Sequence, residues 1–153
     1  MSEVNIHASC VAIGNHGVLL LGPSGAGKSD LALRLIDGGA KLVADDRTLL
    51  FLAKGVLHAK APASIRGLLE IRGVGIVKLP LRSNVKIALV VRLGREGARL
   101  PSHGVYRPPA ALAPTTLPTQ IGLDARFAST PAKIRAALAA FSQGLFQDGF
   151  ITK

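Results

Sequence analysis

The stretch that decides the fold is Gly22–Ser29, which reads Gly-Pro-Ser-Gly-Ala-Gly-Lys-Ser. It matches the phosphate-binding loop pattern G-x-x-x-x-G-K-[ST] in full. The apolar run Val18–Leu21 comes directly before it and predicts a strand. Apolar residues at helical spacing over Lys28–Asp37, followed by Gly38-Gly39, predict a helix that starts within the motif. A strand, a glycine-rich loop and a helix in this order are the context in which the pattern binds nucleotides.

The order of residue types in this loop suits triphosphate chemistry. Glycines allow successive backbone N–H groups to converge on phosphate oxygens, and the N-terminus of the following helix adds the positive end of its dipole. Lys28 can then reach the β- and γ-phosphates, while the Ser29 hydroxyl can ligate Mg²⁺. The alternative is a glycine-rich turn that Lys-Ser follows by chance. The predicted nucleotide-binding residues are Gly22, Pro23, Ser24, Gly25, Ala26, Gly27, Lys28 and Ser29.

Length and composition fit one globular domain. The 153 residues predict a single domain over residues 1–153, and an apolar share of 48% excludes a disordered or collagen-like protein. The net charge of +10 favours an anionic partner, without choosing among a nucleotide, a phosphoprotein, a nucleic acid and an acidic protein surface. The apolar runs are strand-sized, so we expect no membrane segment. The single cysteine and an amino terminus unlike a signal peptide favour the cytoplasm.

The remaining pattern has many short apolar segments and few helices, which predicts an α/β fold with a mixed sheet. Five prolines within Pro101–Pro118 predict a long surface loop, because proline disfavours helices and most strand positions. The last helix is predicted over Pro131–Gln147, with Thr130 as its N-cap. Tight turns are expected at Asn15–Gly17 and Lys54-Gly55. Besides Val18–Leu21, the predicted strands are Val4–Ile13, Lys41–Asp45, Leu49–Ala53, Val74–Leu79 and Lys86–Leu93.

The last helix carries one apolar stripe, formed by Ile134, Leu138, Phe141 and Leu145. A stripe at this spacing is typical of a helix that packs on the core. The alternative is a face that contacts another subunit or a partner protein.

Two groups of polar residues are candidates for chemistry near the loop. The first is Asp45-Asp46, which follows a predicted strand, so that the two carboxylates point to opposite faces if the strand continues. The second is Glu70 with Arg72, two residues apart on one face of an extended segment with nearby glycines. The alternatives are a solvated turn before Arg47 for the first group and a surface ion pair for the second.

Together with the loop, two further segments resemble the catalytic domain of the HPr kinase/phosphorylase family. They are Val43–Arg47 (Val-Ala-Asp-Asp-Arg) and Leu69–Ile76 (Leu-Glu-Ile-Arg-Gly-Val-Gly-Ile), and the resemblance runs from about His7 to Leu93. It implies a kinase that uses ATP and Mg²⁺ to phosphorylate a serine of HPr, the phosphocarrier protein of sugar transport, and that can reverse the reaction by phosphorolysis. It also implies a P-loop fold like that of phosphoenolpyruvate carboxykinase and, in full-length relatives, a homo-hexamer.

The resemblance assigns roles to residues of the two segments. Asp46 is expected to take the serine proton during phosphorylation and to return it during phosphorolysis. Asp45 is expected to support Asp46 or the metal. Glu70 corresponds to a second Mg²⁺ ligand opposite Ser29, and an all-oxygen site suits magnesium. Arg72 is expected to steady phosphate charge.

Two further residues match the family by position. His7 lies on the strand predicted to pair with the one that enters the loop, where the family has an active-site histidine; an exposed strand histidine is the alternative. Arg99, followed by Leu100, lies where the family has a catalytic arginine before leucine. Ala98 and Pro101 differ from the family's flanking residues, so that a solvated arginine is the alternative.

The chain departs from the family's pattern in three places. Members typically carry a separate amino-terminal domain, whereas this sequence begins close to the catalytic part. Lys78–Asn84 stands where the family has a longer glycine-rich loop, and Pro118–Phe127 has little similarity to the segment linked to phosphorolysis. We therefore expect a short bacterial form in which kinase activity is better supported than the reverse reaction.

Two other functions remain open from the sequence. One is a P-loop kinase of a small metabolite, which should carry an arginine-rich lid, whereas the arginines here are scattered. The other is a non-catalytic nucleotide-binding regulatory module, or one that binds nucleic acid. Aromatic residues make up only 4% of the chain, which leaves few surfaces for stacking bases, so we expect no nucleic-acid partner.

Overall fold

The computed structural model of the chain describes residues 2–95 and 103–146. This part of the chain contains ten strands and two α-helices, and a 3₁₀ turn, Ala63–Ile65, lies between the fifth and sixth strands. The predicted α/β class with a mixed sheet is confirmed. In chain order the elements are β1 (Glu3–Ile13), β2 (His16–Leu21), α1 (Lys28–Asp37), β3 (Lys41–Ala44), β4 (Arg47–Ala53), β5 (Val56–Lys60), β6 (Leu68–Ile71), β7 (Gly75–Lys78), β8 (Asn84–Leu93), β9 (Gly104–Val105), β10 (Thr119–Leu123) and α2 (Thr130–Gln143).

Eight of the strands form one sheet that closes on itself. Its order is β2-β1-β4-β5-β8-β10-β9, with β3 beside β1 and a further pairing between β2 and β8. That pairing joins β1, β2, β8, β5 and β4 into a ring. The long strands β1 and β8 make this possible, because each pairs with different neighbours along its two halves.

Two apolar clusters lie on opposite sides of β2. Leu19 and Leu21 point into a cluster to which every strand of the ring contributes, together with Tyr106 and Leu112. Because side chains alternate along a strand, Val18 and Leu20 point to the other side, where they pack with the buried faces of α1 and α2. The strand that enters the glycine loop is thus buried on both faces.

Strand direction gathers several chain segments at one edge of the sheet. β2 and β10 both run parallel to β8, and β3 runs antiparallel to β1, hence in the same direction as β2. The carboxyl ends of these strands therefore lie at the same edge. The glycine loop follows β2, Asp45 follows β3 and Asp124 follows β10 at this edge. In α/β folds, ligands bind outside the carboxyl ends of the strands.

Most strands are found where the sequence predicts them, and the differences have local causes. The first turn consists of Gly14 and Asn15, because His16 and Gly17 already pair with β1. The turn at Lys54-Gly55 is confirmed, and both residues have positive φ, which suits a two-residue hairpin. Strands β5, β6, β9 and β10 were not predicted, since each has at most five residues.

The proline-rich segment is more than a surface loop over the residues that the structure describes. It contains the short strand β9, and it sends two side chains, Tyr106 and Leu112, into the core. Burial raises the pKa of the Tyr106 phenol, and the positive charge of Arg92 partly opposes the rise. The part before His103 lies outside the described residues.

The last helix differs from its prediction at both ends. Ser129 is the N-cap, and Thr130 is already helical; its buried hydroxyl donates to the carbonyl of Asp124 rather than capping α2. The helix ends at Gln143, because Gly144 takes the left-handed conformation that stops helices. The predicted stripe is confirmed for Ile134, Leu138 and Phe141, whereas Leu145 is exposed.

Neither helix of the described part combines the length and the apolar character that crossing a bilayer requires.

The close approach of β2 to β8 predicts a specific effect at Gly17. A Cβ atom there would lie 2.6 Å from Cγ1 of Val85 and 2.7 Å from the carbonyl oxygen of Lys86. We expect Gly17→Ala to lower the free energy of unfolding by about 1–3 kcal/mol, as overpacking does. Gly94→Ala is the matched control, because a Cβ there meets no atom within 4 Å. Equal stability of the two variants in urea unfolding would contradict the assigned strand pairing.

Candidate active site

The glycine loop turns directly from β2 into α1. Gly25 and Gly27 have φ angles of +84° and +95°, in the left-handed region that only glycine adopts without strain. Gly27 is also the N-cap of α1, and a Cβ there would lie 3.3 Å from that of Ala125. The first N–H groups of α1 therefore open toward the loop without a side chain over them, which is the arrangement that binds phosphate oxygens.

Lys28 holds the loop together from inside. Its side chain is 6% exposed, and its ammonium group donates to the carbonyl oxygens of Gly22 at 2.6 Å and Pro23 at 3.0 Å. Burial lowers the pKa of Lys28, and the negative charges of Asp46 and Asp45 oppose this change. The acidic pair thus lies close enough to act on the lysine charge.

The two adjacent aspartates have different surroundings, although β3 ends at Ala44 and does not continue through them as the predicted strand would. Asp45 is buried, and its Oδ1 atom accepts hydrogen bonds from the hydroxyls of Ser29 at 2.7 Å and Ser9 at 3.0 Å. Asp46 is exposed, and its Oδ1 atom lies 2.8 Å from Nε2 of His7. Asp46 has a φ of +68°, a conformation that aspartate tolerates better than most residues and that separates the two carboxylates.

A second wall comes from a hairpin that stands apart from the main sheet. Over residues 2–95 and 103–146, strands β6 and β7 pair only with each other in a two-stranded sheet, and Leu69 of β6 is fully buried. Glu70 lies on β6, but Arg72 lies in the turn, so the prediction that both share one face of an extended segment is wrong. The turn forms because Gly73 and Gly75 take positive φ angles. Both Glu70 and Arg72 nevertheless line the cavity that the loop faces.

Most of the predicted residues meet around one cavity of about 810 Å³. It is bounded by the glycine loop and the start of α1, by His7 and Asp46, and by the hairpin. Asp45 lies beneath it, bonded to Ser29. Arg99 lies outside the described residues, so its place is not given by the structure. The predicted residues that line the cavity are His7, Ser24, Gly25, Gly27, Lys28, Ser29, Asp46, Glu70 and Arg72.

The oxygen donors of this cavity fit Mg²⁺. Among residues 2–95 and 103–146, no group of three or more His, Cys, Asp and Glu side chains is arranged to hold a metal ion by itself. Mg²⁺ does not require such a cage, because it is usually bound through one or two carboxylates together with phosphate oxygens and water. The hydroxyl of Ser29, which is hydrogen-bonded to Asp45, and the carboxylate of Glu70 across the cavity supply oxygen ligands of this kind.

Two further features, one beside the acidic pair and one outside the cavity, have no counterpart among the predicted residues. One is Ser9, which bonds to the acidic pair. The other is the segment after β10, where Arg34 of α1 donates to the carbonyls of Ala125 and Phe127. In the same segment Asp124 accepts a two-pronged hydrogen bond from Arg126, with Nη2 at 2.7 Å from Oδ2. The sequence alone does not single out either feature, because a serine in an apolar strand and an Asp-Ala-Arg loop are common patterns.

Comparison with known protein families gives a match over most of the chain. Residues 1–96 match the family described as HPr serine kinase C-terminal domain. The solved HPr(Ser) kinase/phosphatase of Coxiella burnetii superposes with a TM-score of 0.76 at 22% identity, covering 93% of this chain and 98% of that one. At this identity the superposition establishes the fold.

Individual relatives are similar over about two thirds of this chain. An HPr kinase/phosphorylase of Clostridium acetobutylicum is 36% identical over 104 residues, which cover 62% of this chain and 34% of the relative. One of Caldicellulosiruptor bescii is 38% identical over 117 residues, covering 68% of this chain and 38% of the relative. The match thus spans about a third of the length of these curated relatives.

The pairing of Asp124 with Arg126 predicts a pH dependence of stability. Hydrogen bonds from the guanidinium lower the pKa of Asp124 from 3.8 to about 2. Because the folded pKa is below the unfolded one, the stabilisation is present above pH 4 and is lost as the pH falls toward 2. We expect Arg126→Ala to be less stable than the parent at pH 7, and we expect most of this difference to be lost near pH 2.

Urea unfolding at both pH values, with Arg107→Ala as an exposed-arginine control, measures this difference. Carbon-13 titration of the Asp124 carboxyl should show its pKa rising in Arg126→Ala. A pH-independent difference between Arg126→Ala and the parent would contradict the assigned pairing.

Proposed function

Because the chain belongs to the family of HPr serine kinase C-terminal domains, we propose that it transfers the γ-phosphoryl group of ATP to a serine hydroxyl of the phosphocarrier protein HPr. The observation that carries the proposal is the shared cavity. A loop suited to a triphosphate and a carboxylate suited to an alcohol, Asp46, face the same space. The relatives named HPr kinase/phosphorylase support HPr as the acceptor.

One group of cavity residues binds the phosphates, and another binds the acceptor serine. The loop amides and Lys28 bind the β- and γ-phosphates, and the lysine leaves its two loop carbonyls to do so. The serine hydroxyl bonds to Asp46, which His7 orients through the 2.8 Å contact. As the new bond from the serine oxygen to phosphorus forms, the serine proton passes to Asp46. The bond from phosphorus to the β,γ-bridging oxygen breaks, and ADP leaves with that oxygen.

We also propose a magnesium ion as the cofactor, held by Ser29 and Glu70 together with phosphate oxygens. Such an ion neutralises charge on the β- and γ-phosphates. Asp45 accepts the Ser29 hydroxyl proton in its hydrogen bond, which leaves the oxygen lone pairs of Ser29 available to a cation. Arg72 and Arg99 are proposed to steady phosphate charge from the hairpin and from the segment after β8.

The resemblance supports further proposals about the setting of this activity. The 153 residues are proposed to act as one kinase-type catalytic domain that works in the cytoplasm as a homo-oligomer. Phosphorolysis would use the same groups in reverse, with protonated Asp46 returning its proton to the serine oxygen.

The role of Asp46 can be tested with a variant that keeps its shape. Asp46→Asn should retain the left-handed backbone, because asparagine also tolerates positive φ. It cannot accept a proton, and we expect phosphoryl transfer to fall by about 10²–10⁴-fold. The affinity for ATP should stay close to that of the parent, since Lys28 and the loop amides bind the phosphates. Incubation with ATP, Mg²⁺ and HPr, followed by mass spectrometry of HPr, measures the transfer.

Asp30→Asn is the matched control, because Asp30 lines the same cavity but pairs with Arg34 on α1. We expect this variant to transfer phosphate at nearly the parental rate. Transfer by Asp46→Asn at the parental rate would refute the role of Asp46. A parent that binds ATP but phosphorylates a small metabolite instead of HPr would refute the acceptor.

A further inference from the structure

Ser9 is a polar side chain at the centre of an apolar segment of β1. Its neighbours Ala8, Cys10 and Val11 are fully buried, and Ser9 itself has no exposed surface. A buried hydroxyl lowers stability unless it is hydrogen-bonded. An alanine would have nearly the same volume without a polar group to satisfy, so the contacts of the hydroxyl indicate its role.

The hydroxyl of Ser9 connects both aspartates of the acidic pair. Its oxygen accepts a hydrogen bond from the backbone N–H of Asp46 at 3.0 Å and donates to Oδ1 of Asp45 at 3.0 Å. A serine hydroxyl has a single proton to donate. Because the Asp46 N–H occupies the acceptor side, that proton is directed to Asp45, and the direction of the bond is fixed.

The same carboxylate oxygen of Asp45 also accepts the Ser29 hydroxyl at 2.7 Å. A continuous chain of hydrogen bonds therefore runs from the Asp46 backbone through Ser9 and Asp45 to Ser29. One end of this chain is the backbone N–H of Asp46, whose carboxylate is the proposed base. The other end is the Ser29 hydroxyl, the proposed ligand of the metal ion. Ser9 lies behind both groups and does not line the cavity.

Backbone and side-chain hydrogen bonds together hold the Asp46 conformation. The N–H of Arg47 donates to the carbonyl of Asp45 at 2.8 Å, which closes a turn around Asp46, and the N–H of Ala8 donates to the Asp46 carbonyl at 3.1 Å. The Asp46 N–H donates to the Ser9 side chain. This side-chain bond stabilises the residue with φ of +68° in the conformation from which its carboxylate contacts His7.

We propose that Ser9 is a positioning residue for phosphoryl transfer. It orients the Asp45 carboxylate toward Ser29 and holds the Asp46 backbone so that the two carboxylates serve separate tasks. This role rests on the nucleotide site and the kinase activity proposed above. Loss of the hydroxyl removes one of the two donors to Asp45 and the acceptor of the Asp46 N–H, so both metal binding and the chemical step should suffer.

The test compares three substitutions at Ser9 with one control. Ser9→Ala removes the hydroxyl, Ser9→Cys keeps the volume with a weak donor, and Ser9→Thr keeps the hydroxyl. Thr130→Val is the control, because Thr130 is equally buried and, within the part of the chain that the structure describes, its hydroxyl bonds only to the backbone carbonyl of Asp124. Mn²⁺ binding is followed by electron paramagnetic resonance in the presence of a non-hydrolysable ATP analogue, and steady-state kinetics are measured with HPr.

We expect Ser9→Ala and Ser9→Cys to lose about tenfold or more in Mn²⁺ affinity and in kcat, as loss of a group that orients a metal ligand does. The KM for HPr should stay unchanged in both. Ser9→Thr should bind Mn²⁺ nearly as well as the parent, and Thr130→Val should match the parent in both measurements.

Three results would overturn the proposal for Ser9. They are parental Mn²⁺ affinity and kcat in folded Ser9→Cys, an equal loss in Thr130→Val, and a loss in Ser9→Thr as large as that in Ser9→Cys. If Ser9→Ala does not fold, Ser9→Cys and Ser9→Thr still decide the question. A parent chain that binds no Mn²⁺ with the nucleotide analogue would instead refute the proposed function, so the two failures are distinguishable.

Discussion

The register of β1 against its neighbours is the constraint on which the site depends. Ser9 lies opposite Leu20 on β2, and Cys10 lies opposite Ala44 on β3. The register of β1 therefore fixes the positions of both the glycine loop, which follows β2, and the acidic pair, which follows β3. His7 is paired with Arg47 at the start of β4. A slip of one residue would turn every side chain of β1 to the other face and separate His7 from Asp46. Burial of β2 on both faces makes such a slip unfavourable.

The parts of the fold that the sequence predicts are those with local causes. The helix over Lys28–Asp37 has an apolar face and a glycine stop, and its bounds agree with the structure. The long strands β1 and β8 have strong apolar patterns. By contrast, β10 consists of Thr-Gln-Ile-Gly-Leu and exists because it pairs in parallel with β8, a contact between distant parts of the chain. The N-cap of α2 was misplaced by one residue because Thr130 finds a partner in Asp124, which local sequence does not reveal.

The same distinction applies to the site. Residue types with a required spacing, such as those of the loop and Asp45-Asp46, can be found in the sequence, and the structure places them together. Arg72 was assigned to a strand because two-residue spacing suggests one face, but the positive φ angles of Gly73 and Gly75 turn the chain there. Ser9 has no distinguishing pattern, since its importance comes from a cross-strand contact with Asp45. Predicting it would require the register of β1 and β3, which only the assembled sheet defines.

The hairpin of β6 and β7 has a consequence for how such a protein can diversify. It adds no strand to the eight-stranded sheet, and its tip carries Val74 and Ile76, which are 72% and 71% exposed. Side chains at this tip can therefore change in size and polarity with little loss of folding stability. Descendants of one ancestral chain could adapt this wall to new acceptors over evolutionary time while the triphosphate cradle opposite it stayed constant.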